Sequence, residues 1–435
     1  MNKPQWQMRK LFAALAVSAS VVTALAEGVT LTVDKVQQRY PWNGLVDIDY
    51  TISLAGGATL GPDENLEVTM IDRSVTPAVT NRAIRFLQVP LPLSQGSHRI
   101  TWNANADGVT NYTANAEFHV KIVHYAEAYM VIDVSGGPTT NAYPVTFLNG
   151  EPGTGFNADA YKGDKIVLRR IHPGSFVAGS PSGEYQHQAN EAQHRVVISK
   201  PFYIGIFEIT QKQYENVMGE HENGYAGDYR PVEKVSYNDV RGGNWPSSAT
   251  PADGSFMQVL LAKCKAKNPD TGEYTEPVAG FDLPTEAQWE YACRAGTTGA
   301  FNTTEYFANT SAGQTGALAK LGRYKGDQND GKCGNWKEHV NAGCYLPNAW
   351  GLYDMHGNVW ELCRDRYNVN CCVNEPGTDP YVDPKGPTTG STYVGRGGCW
   401  AHSSADGCRA AKRGDDGGPD NVTDNRGFRL CRDLP

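Results

Sequence analysis

The first 263 residues of this 435-residue chain contain no cysteine, although the remainder contains ten. No Cys-x-x-Cys pair comes with a matching His or Cys set, which disfavours a structural zinc site. The sequence also lacks a Gly-x-Ser-x-Gly elbow and a phosphate-binding loop. Lys and Arg number 39 against 47 Asp and Glu, and the net charge is −8. This balance argues against nucleic-acid partners and against a membrane-binding face.

One apolar stretch lies at the N-terminus. Lys3, Arg9 and Lys10 precede the apolar residues 11–25, and Ala-Leu-Ala ends the stretch at 24–26. This pattern predicts a signal peptide over residues 1–26, with a single membrane anchor as the less favoured alternative. We therefore expect a secreted, periplasmic or cell-surface protein with no transmembrane segment after cleavage. An oxidising compartment would allow the clustered cysteines to pair.

The chain after residue 26 divides into segments with different sequence patterns. Residues 27–134 alternate apolar and polar positions, with Gly, Pro, Asn and Asp clusters between the runs. This period of two predicts an immunoglobulin-like β-sandwich. Residues 135–148 begin with Ser-Gly-Gly-Pro-Thr-Thr-Asn, which predicts a linker. Residues 149–435 mix short strands and helices with long loops, so the fold class is mainly β with an α+β second domain.

Two helices are predicted in the second domain. One begins at Thr210 and stops at Gly219. The other follows a capping box at 285–288 and stops near Gly296. Residues 297–347 show little periodicity, and we expect loops there.

The second domain resembles the formylglycine-generating enzyme family, also called the sulfatase-modifying factor domain. The resemblance depends on ordered blocks: His-Pro-Gly-Ser-Phe at 172–176, Leu-Pro-Thr-Glu-Ala-Gln-Trp-Glu-Tyr at 283–291, the run at 351–361, Arg-Gly-Gly at 396–398 and Gly-Phe-Arg at 427–429. It implies a C-type-lectin-like fold with a small antiparallel sheet, peripheral helices and long loops.

The resemblance does not extend to the thiol pair of the oxidase members. Those two positions correspond to His402 and Gly407 here. Cys399 and Cys408 lie nearby and could form a displaced copper site, because two soft thiolates bind Cu(I). The alternative is that Cys408 is a structural cystine. The family implies disulfides that transfer to Cys293 with Cys408 and to Cys264 with Cys431.

The resemblance also implies a structural calcium site. Asn358 and Glu361 would supply side-chain oxygens, and Gly357 and Val359 would supply carbonyls. The alternative is that both side chains only cap backbone groups.

The C-terminal loop at 401–425 contains small and polar residues, with no Glu, Gln, Met or Trp. This composition resembles the variable regions of diversity-generating retroelement proteins; an ordinary drifted loop is the alternative. A surface of changeable side chains on a fixed scaffold would suit ligand recognition. Its candidate residues are Trp400, Ala401, His402, Ser403, Ser404, Asp406, Gly407, Asp415, Asp416, Asp420 and Asp424.

We therefore predict an exported binding module for an unknown protein or glycan ligand. The alternative is a copper-dependent oxidase that converts sulfatase cysteines to formylglycine.

Overall fold

The structure is a computed structural model, and it describes residues 22–23, 28–39, 43–60, 64–74, 76, 78–82, 86–88, 93–105, 109, 116–124, 127–303, 305–325, 337–369 and 381–434. Two compact units are present. The first comprises Met1–Thr59, Leu66–Val89 and Ser94–Val123, and the second comprises Leu60–Asn65, Pro90–Leu93 and His124–Pro435. Apart from two residues, the predicted signal peptide lies outside the described part. No helix among the described residues is long and apolar enough to cross a membrane.

The first unit is built from strands in two antiparallel sheets. Their order is β1-β2-β3-β7-β6 in one sheet and β5-β4-β8 in the other. The strands are β1 Val22–Thr23, β2 Val29–Gln38, β3 Leu45–Leu54, β4 Glu64–Asp72, β5 Val79–Arg82, β6 Phe86–Gln88, β7 Gly96–Asn103 and β8 Ala116–His124.

The predicted alternation explains why these strands pair. Val46, Ile48 and Tyr50 of β3 are buried, and the intervening side chains are partly exposed. Trp102 of one sheet contacts Phe118 of the other, with ring centroids 6.5 Å apart. The unit is thus mainly β, and its assignment to the immunoglobulin-like class stays a prediction.

The second unit contains a sheet of eight strands, in the order β16-β15-β10-β9-β11-β14-β23-β17, together with two smaller sheets, β12-β13-β19 and β21-β20-β18-β22. The strands are β9 Tyr129–Asp133, β10 Tyr143–Leu148, β11 Lys165–Ile171, β12 Gly174–Ala178, β13 His194–Ile198, β14 Phe202–Gly205, β15 Cys264–Lys267, β16 Tyr274–Pro277, β17 Phe281–Asp282, β18 Trp360–Arg366, β19 Tyr381–Val382, β20 Tyr393–Arg396, β21 Gly414–Asp415, β22 Arg426–Gly427 and β23 Cys431–Asp433. The helices are α1 Gln211–Met218, α2 Tyr237–Val240, α3 Phe256–Lys263, α4 Glu286–Arg294 and α5 Ser311–Leu321.

The predicted linker at 135–148 is wrong. Strand β10 occupies its second half and pairs antiparallel with β9, with Val145 opposite Ile132. Both side chains are buried in the core of the second unit. The Gly-Gly-Pro segment is therefore the turn of a hairpin, and the second unit begins near His124 rather than at residue 149.

Local capping explains both predicted helices. Thr210 accepts a hydrogen bond from the Gln213 backbone and forms a capping box with it, and Gly219 follows the last helical residue. Thr285 and Gln288 form the same box at the start of α4. Helix α5 was not predicted, because Gly and Ala residues obscure its apolar spacing; Leu318 and Leu321 nevertheless face the interior.

Candidate ligand-binding face

Two buried arginines hold the ends of the C-terminal loop. The Arg429 guanidinium donates to both carboxylate oxygens of Glu361, at 2.7 and 2.9 Å. Arg396 pairs with Glu290 and donates to the carbonyls of Ala410 and Lys412. Such charge-assisted contacts are directional, so they keep the loop on a defined scaffold.

His402 occupies the space that a side chain at position 407 would need. A Cβ built on Gly407 would lie 2.5 Å from Cγ and 2.8 Å from Cε1 of His402. The two positions that carry thiols in the oxidase members are therefore adjacent here, but an imidazole fills the space between them. Nε2 of His402 is buried and has no hydrogen-bond partner among the described residues. Burial lowers the pKa of His402, and Lys412 lowers it further.

Aromatic rings lie beside this histidine. The Trp360 ring meets the His402 ring edge-on, with centroids 5.3 Å apart. The Trp400 ring meets Tyr225 in the same geometry, also at 5.3 Å. All four side chains are half-buried, so each keeps part of its surface in contact with solvent. We call Tyr225, Trp360, Trp400 and His402 the aromatic face.

The remaining predicted binding residues lie at different places on the loop. Asp406 lies close enough to influence the pKa of His402, and the Asp424 carbonyl accepts from the Trp400 indole at 3.4 Å. Asp416 and Asp420 lie elsewhere on the loop: Asp420 accepts from Asn238 at 2.7 Å. Ser403 and Ser404 are exposed, Ala401 is half-buried, and Asp415 follows Gly414 in β21.

Sequence reasoning missed part of the aromatic face. Tyr225 lies in a loop far from the motif blocks, and Trp360 was noted only within the presumed calcium segment. His339 packs edge-on against Tyr225 at 5.4 Å and is fully buried. A loop residue carries no periodic signal, so its approach to Trp400 could not be inferred.

Cys399 and Cys408 do not fit a copper site of the oxidase kind. The two residues are 2% and 0% exposed. Burial raises the pKa of Cys399 to about 12 and raises the pKa of Cys408 well above its usual range. Copper ligation needs thiolates, and the oxidase reaction needs access for oxygen and a substrate cysteine. The buried thiols provide neither.

The implied disulfides are also absent from the structure, which has Cys264, Cys293, Cys408 and Cys431 as free, buried thiols. Cys264 packs in one core cluster with Tyr143, whereas Cys431 packs in another with Trp289. Cys344, by contrast, is disulfide-bonded, and Cys371 and Cys372 lie outside the described residues.

His356 contacts both Cys293 and Cys408. Nδ1 of the ring donates to the Cys408 carbonyl at 2.8 Å, while Nε2 lies 3.7 Å from the Cys293 sulfur and accepts from the Asn302 backbone. This pattern needs a neutral imidazole with its proton on Nδ1. Burial accordingly lowers the pKa of His356 to about 4. His356 is therefore a core residue that joins two elements.

The presumed calcium ligands already have protein partners. Oδ1 of Asn358 accepts from the Val340 backbone at 3.0 Å, and Nδ2 donates to Glu208 at 2.7 Å. Glu361 is neutralised by Arg429, and its Oε2 also accepts from the Trp289 indole at 2.7 Å. Coordination of calcium by Asn358 and Glu361 with the carbonyls of Gly357 and Val359 would therefore require these contacts to break.

Comparison with known proteins defines the class of this domain. The model of the sulfatase-modifying factor enzyme 1-like domain matches residues 157–434, which is more than half of the chain. The chain therefore belongs to this family, as the motif blocks predicted.

Individual relatives include formylglycine-generating enzymes. The formylglycine-generating enzyme of Mus musculus is 36% identical over 300 residues, covering 62% of this chain and 76% of the relative. The enzyme of the same name from Streptomyces coelicolor is 27% identical over 307 residues, covering 61% and 88%. Among solved structures, Treponema denticola variable protein 1 is 26% identical with a TM-score of 0.43, covering 62% of this chain and 96% of that one.

Proposed function

We propose that this chain is an exported binding module of the sulfatase-modifying factor family that holds its ligand on the aromatic face. The observation that carries the proposal is the His402 imidazole against Gly407, at the positions where oxidase members have thiols. An oxidase needs two accessible thiols there, whereas a binding module needs a firm scaffold and exposed side chains.

The contacts around the face support recognition. Half-buried tryptophan and tyrosine side chains offer large contact areas and lose little conformational entropy on binding. The buried Arg396 and Arg429 hold the loop that presents them. Loop 401–425 adds short polar side chains, which could vary between related chains without disturbing the scaffold. The N-terminal unit would act as a spacer, and the basic and apolar residues at the N-terminus support export.

The oxidase alternative has no supporting contact. The nearest thiols, Cys399 and Cys408, are buried and protonated at neutral pH. Among the described residues, no group of three or more His, Cys, Asp or Glu side chains is placed to hold a metal ion.

The first experiment separates the two functions. The purified chain, with and without copper, is incubated in air with a cysteine-containing sulfatase peptide, and the peptide is analysed by mass spectrometry. We expect no conversion of cysteine to formylglycine. Turnover that disappears in Cys399→Ser and Cys408→Ser variants would overturn the proposal.

The second experiment tests binding. Ligands are selected from displayed peptide and glycan libraries against the full chain and compared with a Trp400→Phe variant. We expect selected ligands to bind the variant more weakly. Gly153→Ala, at an exposed glycine with free space around it, is the matched control. Ligands that bind all three proteins equally would place recognition elsewhere.

A further inference from the structure

The basic side chains of the C-terminal loop point inward. The Arg409 side chain is fully buried and pairs with Glu184 at 2.7 Å and Glu191 at 2.8 Å. Arg413 pairs with Glu286 at 2.6 Å. Each arginine has its own carboxylate, so neither contributes net charge to the surface of the loop.

Four aspartates of the same loop stay at the surface. Asp415 and Asp420 are exposed, and Asp406 and Asp424 are half-buried, whereas the Asp416 carboxylate is buried beside Gly395. Between residues 401 and 425, Lys412 is the basic side chain that remains, and it donates to Gln188 at 2.9 Å. Four surface aspartates therefore accompany one lysine. The sequence of the loop is already acidic, with five aspartates against three basic residues, and burial of the two arginines makes its surface more so.

One of these aspartates, Asp424, flanks the aromatic face. Its carbonyl accepts from the Trp400 indole at 3.4 Å, and the carbonyl of the next residue, Asn425, accepts from the Trp360 backbone at 2.8 Å. Asp415 follows Gly414, whose Cβ position faces the Trp360 ring, so the Asp415 side chain points to the other side of the strand. The pKa of Tyr225 is raised by burial first and then by Asp424, Glu338 and Glu233, so negative charge also reaches the other end of the face.

Aromatic rings and carboxylates together favour a cation. Lys and Arg side chains bind over the face of a Trp or Tyr ring, and adjacent carboxylates strengthen the attraction. Acidic glycans and nucleic acids would be repelled by the same aspartates. The two ring pairs and the exposed loop between them form an extended surface, which suits a chain segment better than a small free cation.

We propose that the aromatic face binds a basic segment of a partner protein, with a Lys or Arg side chain over Trp360 or Trp400 beside Asp424. This inference rests on the proposed binding function and names its ligand class.

A hexa-arginine peptide is the probe, and a hexa-glutamate peptide is the matched comparison. Both are titrated into the full chain by isothermal titration calorimetry at low and physiological salt. We expect the arginine peptide alone to bind, and its affinity to fall as salt screens the aspartates. Asp424→Asn should weaken binding about three-fold, and Trp400→Phe should do the same by weakening the ring–cation contact.

The control is Asp34→Asn, which removes an exposed charge from the first unit. Equal weakening by Asp424→Asn and Asp34→Asn would mean unspecific attraction to an acidic protein and would overturn the inference. Binding of the glutamate peptide with comparable affinity would overturn it as well.

Failure of this inference differs from failure of the proposed function. If library-selected ligands depend on Trp400 but are acidic or uncharged, the basic-segment inference is refuted and the binding function stands. If no selected ligand depends on Trp400, both fail.

Discussion

Replacing Gly407 with alanine tests the contact on which the functional interpretation depends. The new Cβ would lie 2.5 Å from Cγ of His402, whereas carbon atoms in contact are normally about 3.5–4.0 Å apart. The ring must therefore move by about 1 Å. Trp360 restricts it on one side, and the His402 carbonyl is tied to the Lys325 backbone at 2.9 Å. The backbone of Gly407 lies outside the left-handed region, so steric crowding is the effect measured.

Overpacking of this kind costs about 1–3 kcal/mol. For the larger unit, that corresponds to a melting temperature lower by roughly 2–6 °C. Calorimetry would follow the transition of the second unit, with Gly153→Ala as the control because its Cβ meets nothing within 4 Å. The cost of Gly407→Ala should vanish in a His402→Ala background. A cost that persists there would refute the reasoning, because the clash would then not involve the imidazole.

Other predictions follow from the buried groups. The pKa of His356 is lowered in the folded state to about 4, so the unfolded chain binds more protons below pH 6.5 and the protein becomes less stable as the pH is lowered. Thermal melts should show a loss of roughly 2 kcal/mol on going from pH 7 to pH 5, and a His356→Gln variant should not share this loss. Chelating calcium should leave the melting temperature unchanged, because Asn358 and Glu361 already have internal partners; a rise of several degrees on adding calcium would contradict this. Alkylation of the native protein followed by peptide mass spectrometry should find Cys293 and Cys408 unbridged and slow to react, and a Cys293–Cys408 peptide would show that the pairing inferred from the family is correct.

Much of the local structure could be predicted from the sequence, because its causes lie within a few residues. Alternating side chains define β3, and Thr210 caps α1 through a residue three positions away. The ordered motif blocks predicted the family. The linker prediction failed because Gly, Pro and Ser mark a hairpin turn as readily as a flexible connection, and only the pairing of β9 with β10 distinguishes them.

The site was harder to predict than the fold. His402 and Gly407 could be aligned with the thiol positions, but their mutual contact depends on how the loop turns. The inferred pairing of Cys293 with Cys408 ignored His356, which lies 52 residues before Cys408 in sequence and contacts its carbonyl.

By itself, the sequence determined the family, the class of the second domain, the ends of helices α1 and α4 and the absence of the oxidase thiol pair, because these depend on residue identity and short-range spacing. Tertiary structure alone decided the direction of each charged side chain: Arg409 is buried beside Glu191, 218 residues away, while Asp424 lies beside Trp400, whose indole donates to its carbonyl. Burying an arginine is favourable only when a carboxylate reaches it, and that partner is chosen by long-range packing. The fold therefore decides which of these charges lie at the surface beside the aromatic rings.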